Sequence, residues 1–195
     1  MEKVSYALGL SIGNNLLNSG IKDMNLEQFT KGVSDVLKGA TPDMKYDEAK
    51  KILDKFFTEL ADKINSQNIA VGKAFLEKNK KEEGVVELPS GLQYKVLKEG
   101  NGKKPKATDK VRCHYEGMLL DGTIFDSSIK RGEPAVFGVN QVIQGWVEAL
   151  QLMQEGAKWR LFIPSEMAYG ARGAGNSIPP HATLIFDVEL ISVES

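Results

Sequence analysis

Residues 111–126 read V-R-C-H-Y-E-G-M-L-L-D-G-T-I-F-D, and their period is two. Val111, Cys113 and Tyr115 alternate with Arg112 and His114, the pattern of a strand with one buried face. Asp121-Gly122 follows between Leu119 and Ile124 and reads as a hairpin turn, because this dipeptide accepts the positive φ such turns require. The alternation returns in Trp159, Leu161 and Ile163, and again in Leu184, Phe186, Val188 and Leu190. One stretch, Gln144 to Met153, breaks it and places Trp146, Leu150 and Met153 on one helical side. The spacing predicts an antiparallel β-sheet wrapped around a single short helix.

Upstream of Gly84 the grammar differs. Six of the 7 prolines and thirteen of the 19 glycines lie from Gly84 onward, so the first half is expected to be helical. A first helix is expected from Ser5 to Asn18, with Val4, Leu8, Ile12 and Leu16 at i, i+4 spacing and Gly20 as its stop. Gly9 and Gly13 lower its propensity and would admit a close helix. A second opens at Asn25, with Gln28 three residues on, and closes at Gly39. From Lys45 to Val71 there is neither Gly nor Pro, and a third helix running on toward Gly84 would extend on the order of 55 Å. Its stripe of Ile52, Phe56, Leu60 and Ile64 is more than two short helices can cover. A homodimer through residues 1–84 is the economical way to bury it, the alternative being a long solvated helix of charged residues. The expected fold class is therefore α+β: an all-α dimerisation region at 1–84 ending in a long helix, then a sheet domain at 85–195.

Composition excludes several classes of function. A formal net charge of −1 lacks the basic excess of a non-specific nucleic-acid binder. No apolar run approaches the roughly 20 residues of a membrane helix. The opening Met-Glu-Lys-Val-Ser-Tyr has no long apolar stretch behind its lysine, so a cytoplasmic protein is expected. A chain whose leader had been removed would read the same, which keeps a periplasmic or surface-exported form open. Cys113 is the only cysteine, so no internal disulfide forms, and a buried inert thiol is expected. His114 and His181 lack neighbours at ligand spacing; neither metal nor cofactor is expected. Tyr115, Phe125, Asp126, Trp146, Tyr169 and Phe186 gather in the second half without a nucleophile–base set or phosphate loop. Such a domain binds something apolar or catalyses a reaction that breaks no covalent bond.

Five blocks carry a resemblance. They are H-Y-E-G-M-L-L-D-G-T-I-F-D-S-S at 114–128, R-G-E-P at 131–134, V-I-Q-G-W at 142–146, A-Y-G at 168–170 and I-P-P-H-A-T-L-I-F-D-V-E-L at 178–190. In this order they resemble the FKBP-type peptidyl-prolyl cis–trans isomerases, from about Leu88 to Glu194. G-K-A-F-L-E-K-N-K-K-E-E-G-V at 72–85, with S-G-L-Q-Y at 90–94, is similar to the junction in bacterial Mip-like and FklB-like members, whose helical region dimerises.

The resemblance implies rotation about X–Pro amides in unfolded or proline-containing polypeptides, and binding of macrolide inhibitors. Trp146 would form the pocket floor, with Tyr115, Phe125, Phe137, Val142, Ile143 and Phe186 as walls. The Ile143 N–H and the Tyr169 hydroxyl would hold substrate carbonyls. Asp126 would stand at the edge with Tyr115 and Arg131 as partners, and Ile178 would overhang the pocket. Ala135 stands where single-domain eukaryotic members carry an aromatic residue, and Ala174 where a bulkier side chain is common, which implies a more open rim. On pattern alone, Trp146, Phe137 and Phe186 read as core, Asp126 as a turn residue and Arg131 as a solvated charge. A chaperone or binding module with incidental turnover is the competing function.

Overall fold

The computed structural model describes residues 1–194. The chain divides into two compact units, Met1–Lys63 and Ile64–Ser195, with the division inside a helix. The first unit carries α1 (Glu2–Asn18), α2 (Leu26–Lys38) and the first part of α3 (Tyr46–Asn79). α1 begins three residues before the expected Ser5, since Glu2 to Val4 continue the helix. α2 starts as its sequence dictates: the Asn25 side chain accepts a hydrogen bond from the Gln28 backbone N–H at 3.0 Å. Gly39 closes it in the left-handed region, φ 64°. None of residues 1–63 is buried. A side chain added at Gly9 or Gly13 would meet nothing within 4 Å, so no helix of the same chain presses on that pair.

In the second unit the sheet has the order β1-β2-β6-β7-β3-β4, with β5 beside β3. The strands are β1 (Val85–Glu87), β2 (Gln93–Lys98), β3 (Lys110–Leu119), β4 (Ile124–Ser127), β5 (Ala135–Gly138), β6 (Lys158–Ile163) and β7 (Leu184–Glu194). Every pairing is antiparallel. The long central ladder joins β3 to β7 and sets Tyr115 opposite Val188 and Gly117 opposite Phe186. The turn after β3 is where the Asp-Gly pair predicts it: Gly122 takes φ 86° and its N–H donates to the Leu119 carbonyl at 3.0 Å.

The alternating positions Val111, Cys113 and Tyr115 of β3 face the core with Leu161 and Ile163 of β6 and Leu184, Phe186, Val188 and Leu190 of β7. α5 (Gln144–Leu152) covers that face with Trp146, Ala149 and Leu150, and Met153 follows it into the core. Gly145 sets how closely it docks, because a Cβ there would come within 2.5 Å of Ile163 on β6. Cys113 is wholly buried, and burial pushes its thiol up to about 12.

Residues 64–79 of α3 belong to this unit. Gly72 is buried against Thr183 with no room for a side chain, and Phe75 packs on Phe162 with ring centroids 5.9 Å apart. At the helix end, Asn79 donates to the Gln93 side-chain oxygen at 2.9 Å, while the Gln93 amide donates to the Leu76 carbonyl at 2.9 Å and to Glu87 at 3.0 Å. Gln93 is fully buried, so each of these bonds satisfies a group that water cannot reach. Asn79→Ala leaves the Gln93 oxygen without its donor and is expected to cost about 1–3 kcal/mol, read as a lower urea midpoint with an unchanged slope.

Candidate active site

The site begins with a gap in a ladder. The outer edge of β3 pairs with β5 through residues 110–113 and with β4 through 116–118, leaving Tyr115 beside neither. Its backbone groups are buried there and need partners. Ser128 supplies them: its hydroxyl accepts from the Tyr115 N–H at 2.7 Å and donates to the Tyr115 carbonyl at 3.1 Å. His114 Nδ1 lies 3.1 Å from the same oxygen. This ties α4 (Ser128–Arg131) to β3, with Ser127 as its N-cap and Gly132, φ 80°, as its stop.

That single turn folds Arg131 back over Asp126. The Tyr115 hydroxyl donates to Asp126 Oδ2 at 2.5 Å, Arg131 Nη2 donates to the Tyr115 hydroxyl at 2.9 Å, and Arg131 Nη1 donates to Asp126 Oδ1. The Arg131 guanidinium also lies over the Tyr115 ring, 5.6 Å from its centroid. Burial pushes the Asp126 carboxyl up, but the Tyr115 and Arg131 hydrogen bonds and the Arg131 charge outweigh it, holding the group below its ordinary range. Burial, then the Asp126 hydrogen bond, pushes the Tyr115 hydroxyl up. Burial, helped by the Asp126 charge, does the same for Tyr169. At neutral pH the site therefore holds one carboxylate and two un-ionised phenols.

Behind the carboxylate is an aromatic box. The rings of Tyr115, Phe137 and Phe186 meet Trp146 with centroids 5.4–5.6 Å away and interplanar angles of 82–84°. Three rings thus lie nearly at right angles to the indole plane. Phe125 meets Phe186 in the same way at 5.5 Å. Gly117 makes that meeting possible, since a Cβ there would fall 2.6 Å from both phenylalanine rings.

These groups line a cavity of about 690 Å³. Of the residues expected from the sequence, it brings together Tyr115, Phe125, Asp126, Phe137, Val142, Ile143, Trp146, Tyr169, Ile178 and Phe186. Arg131 is outside the lining and reaches the site only through Asp126 and Tyr115. Ala135 is also outside the lining, paired with Cys113 in the sheet, whereas Ala174 lines it. Gln141 and Ser177 line it too, and sequence reasoning missed them. Neither falls on a periodic element: Gln141 ends the 3₁₀ turn after β5, and Ser177 lies in the loop before Ile178. Gly117 was also missed, although a glycine interrupting a β pattern is a recognised sign of close approach. Among the described residues, the Ile143 N–H donates to no acceptor of the protein, and neither does the Tyr169 hydroxyl. The chamber offers an apolar floor and walls, one fixed negative charge and two free donors.

This arrangement carries a pH dependence. Because the folded Asp126 value is depressed, its contribution is complete above the ordinary carboxylate range and is lost as pH falls through the lower folded value. Trp146 meets the Tyr115 ring whose hydroxyl is bonded to Asp126, so pocket fluorescence is expected to stay level from neutral pH down through that range and to change only below it. In Asp126→Asn that acid step should be missing; a wild-type step centred above the ordinary carboxylate value would contradict the arrangement.

A family model described as FKBP-type peptidyl-prolyl cis-trans isomerase matches residues 101–191, and one described as the domain amino terminal to it matches residues 1–96. The chain is 48% identical over 195 residues to the FKBP-type 22 kDa peptidyl-prolyl cis-trans isomerase of Escherichia coli K12, covering 98% of this chain and 94% of that protein. It is 46% identical over 200 residues to the outer membrane protein MIP of Legionella longbeachae, covering 99% and 85%. Among solved structures, FkpA from Escherichia coli aligns with a TM-score of 0.75 at 38% identity, over 98% of this chain and 95% of that one.

Proposed function

The chain belongs to the FKBP-type peptidyl-prolyl cis–trans isomerases, and on that premise we propose that the aromatic box on Trp146 is where an X–Pro bond is turned. The activity is acceleration of cis–trans exchange at proline in polypeptide substrates. Amide resonance sets a barrier of ~18–20 kcal/mol, and uncatalysed exchange takes roughly 10–100 s. No proton leaves and no nucleophile attacks, so the catalyst must bind the twisted amide better than either planar form.

One observation carries the assignment of residues: three rings stand perpendicular on Trp146 beside unspent hydrogen-bond donors. The proline ring stacks on Trp146 between Tyr115, Phe137 and Phe186, with Phe125 and Val142 completing the walls. The twisted amide has lost conjugation and is less polar than the planar one, so a dry chamber favours it. The Ile143 N–H takes one substrate carbonyl and the Tyr169 hydroxyl a second. Donors held in place in this way cost little reorganisation when the carbonyl turns. Asp126 presents its fixed carboxylate to the carbon of the rotating carbonyl. Arg131 holds that carboxylate from outside and touches no substrate. Ile178 closes the chamber from above. A macrolide ligand would enter the same chamber, which is within the size range of small-molecule sites.

The helical unit completes itself in a second copy of the chain. Val4, Leu8, Ile52, Phe56 and Phe57 are all exposed in a single chain, and α2 carries an apolar groove lined by Phe29, Val33, Val36 and Leu37. Two-fold association through this unit covers surface that one chain leaves in water. Among the described residues no helix is long and apolar enough to cross a membrane.

Two measurements test these assignments. On a short Phe-Pro peptide the wild-type chain accelerates exchange, and Trp146→Ala lowers kcat/KM by roughly a hundredfold, because the floor orients everything above it. Retained exchange in Trp146→Ala would move the site elsewhere. Light scattering of the full chain is expected to report twice the 21.4 kDa of one chain, and a fragment beginning at Ile64 a monomer; equal association states would refute dimerisation through the helices.

A further inference from the structure

The loop that overhangs the pocket is short and closed on itself. The Ala174 N–H donates to the Ile178 carbonyl at 2.9 Å, and the Ile178 N–H returns a bond to the Ala174 carbonyl at 3.1 Å. Ala174, Ser177 and Ile178 all line the cavity. Gly173 takes φ 62°, and a Cβ there would overlap the Ile178 carbonyl, so the turn admits no side chain. Immediately downstream, His181 adopts φ 58°, an uncommon backbone conformation for a residue with a Cβ. Its N–H donates to the Gly170 carbonyl at 2.8 Å, next to Tyr169. A conformation of this kind persists only where the surroundings over-determine it.

The surroundings are supplied by α3. Asn68 Nδ2 donates to the Pro180 carbonyl at 2.9 Å across 112 positions of sequence. One turn on, Gly72 abuts Thr183, which is 5% exposed. Residues 67–76 thus flank the 179–183 segment from behind, while Ile178, two residues before the Asn68 acceptor, faces the pocket from the front.

We propose that Asn68 is a positioning residue for isomerisation: by holding the Pro180 carbonyl it fixes the height of Ile178 over the bound proline. This rests on the pocket being the site of catalysis. Asn68 touches neither substrate nor reacting atom. Its effect falls on how well the overhanging loop clamps the peptide, and so on KM more than kcat. The close Gly72 contact lets the helix stand near enough for the Asn68 amide to reach.

The test uses the full chain, with exchange kinetics on a Phe-Pro peptide and backbone amide resonances read together. Asn68→Ala is expected to lower kcat/KM roughly three- to tenfold, the scale of one hydrogen bond, mainly through KM. The amide resonances of Ala174 and Ile178 shift in the same variant, while Ser66→Ala, on the exposed face of α3, changes neither reading. Asn68→Gln, which keeps an amide donor, restores part of the loss. Wild-type KM with unmoved Ala174 and Ile178 amides in Asn68→Ala overturns the proposal. So does a fall in melting temperature with KM unchanged, which marks a purely structural contact. Should the wild-type chain fail to catalyse exchange, the site assignment falls by itself, and the amide shifts alone decide whether Asn68 holds the loop.

Discussion

Tyr115 occupies the one stretch of β3 with no strand on its outer side, and the buried Ser128 hydroxyl answers both its backbone N–H and its carbonyl. Had the neighbouring strand continued, the ladder would have been complete and the notch filled. Instead the side chain of Tyr115 points into a chamber, α4 is tied close by, and Arg131 comes back over Asp126. An unsatisfied buried amide and carbonyl would cost more than one serine contributes elsewhere, so the gap survives only because Ser128 closes it. The floor is set from the other direction, by Gly145 letting α5 lie on Ile163 and lower Trp146 into place.

The chemistry follows from what this geometry offers. Amide rotation needs no group that gives up or takes a proton. A carboxylate held ionised by its neighbours and two phenols held neutral form a constant field through the ordinary pH range. In the proposed site the carbonyl changes direction while the charges around it stay fixed. Preorganised dipoles in a dry chamber are the form of stabilisation such a reaction can use.

The two units solve burial differently. In the sheet unit, alternation puts one face of each strand under α5, and side chains such as Leu150, Leu161 and Leu184 are wholly removed from water. In the helical unit each helix has an apolar stripe and no buried residue. A helix can satisfy its own backbone, so it forms whether or not its stripe is covered; a strand cannot, and its neighbours arrive with it.

Sequence alone determined what depends on local chemistry. The Asn25 cap, the Gly39 stop, the Asp121-Gly122 turn and the two-residue period of β3, β6 and β7 each involve contacts a few residues apart, and each was readable. The motif blocks from His114 to Leu190 also pointed to the family and to the residues that meet in the chamber. Tertiary structure alone decided the rest. Arg131 stands behind Asp126 rather than in the lining, because one helical turn reverses the chain. Gln141, Ser177 and Gly117 join the site because register and loop path deliver them there. Residues 64–79 pack with the sheet, because Gly72 and Asn68 find partners more than a hundred positions away. Local periodicity carries no record of such distant meetings, and only the folded chain brings them about.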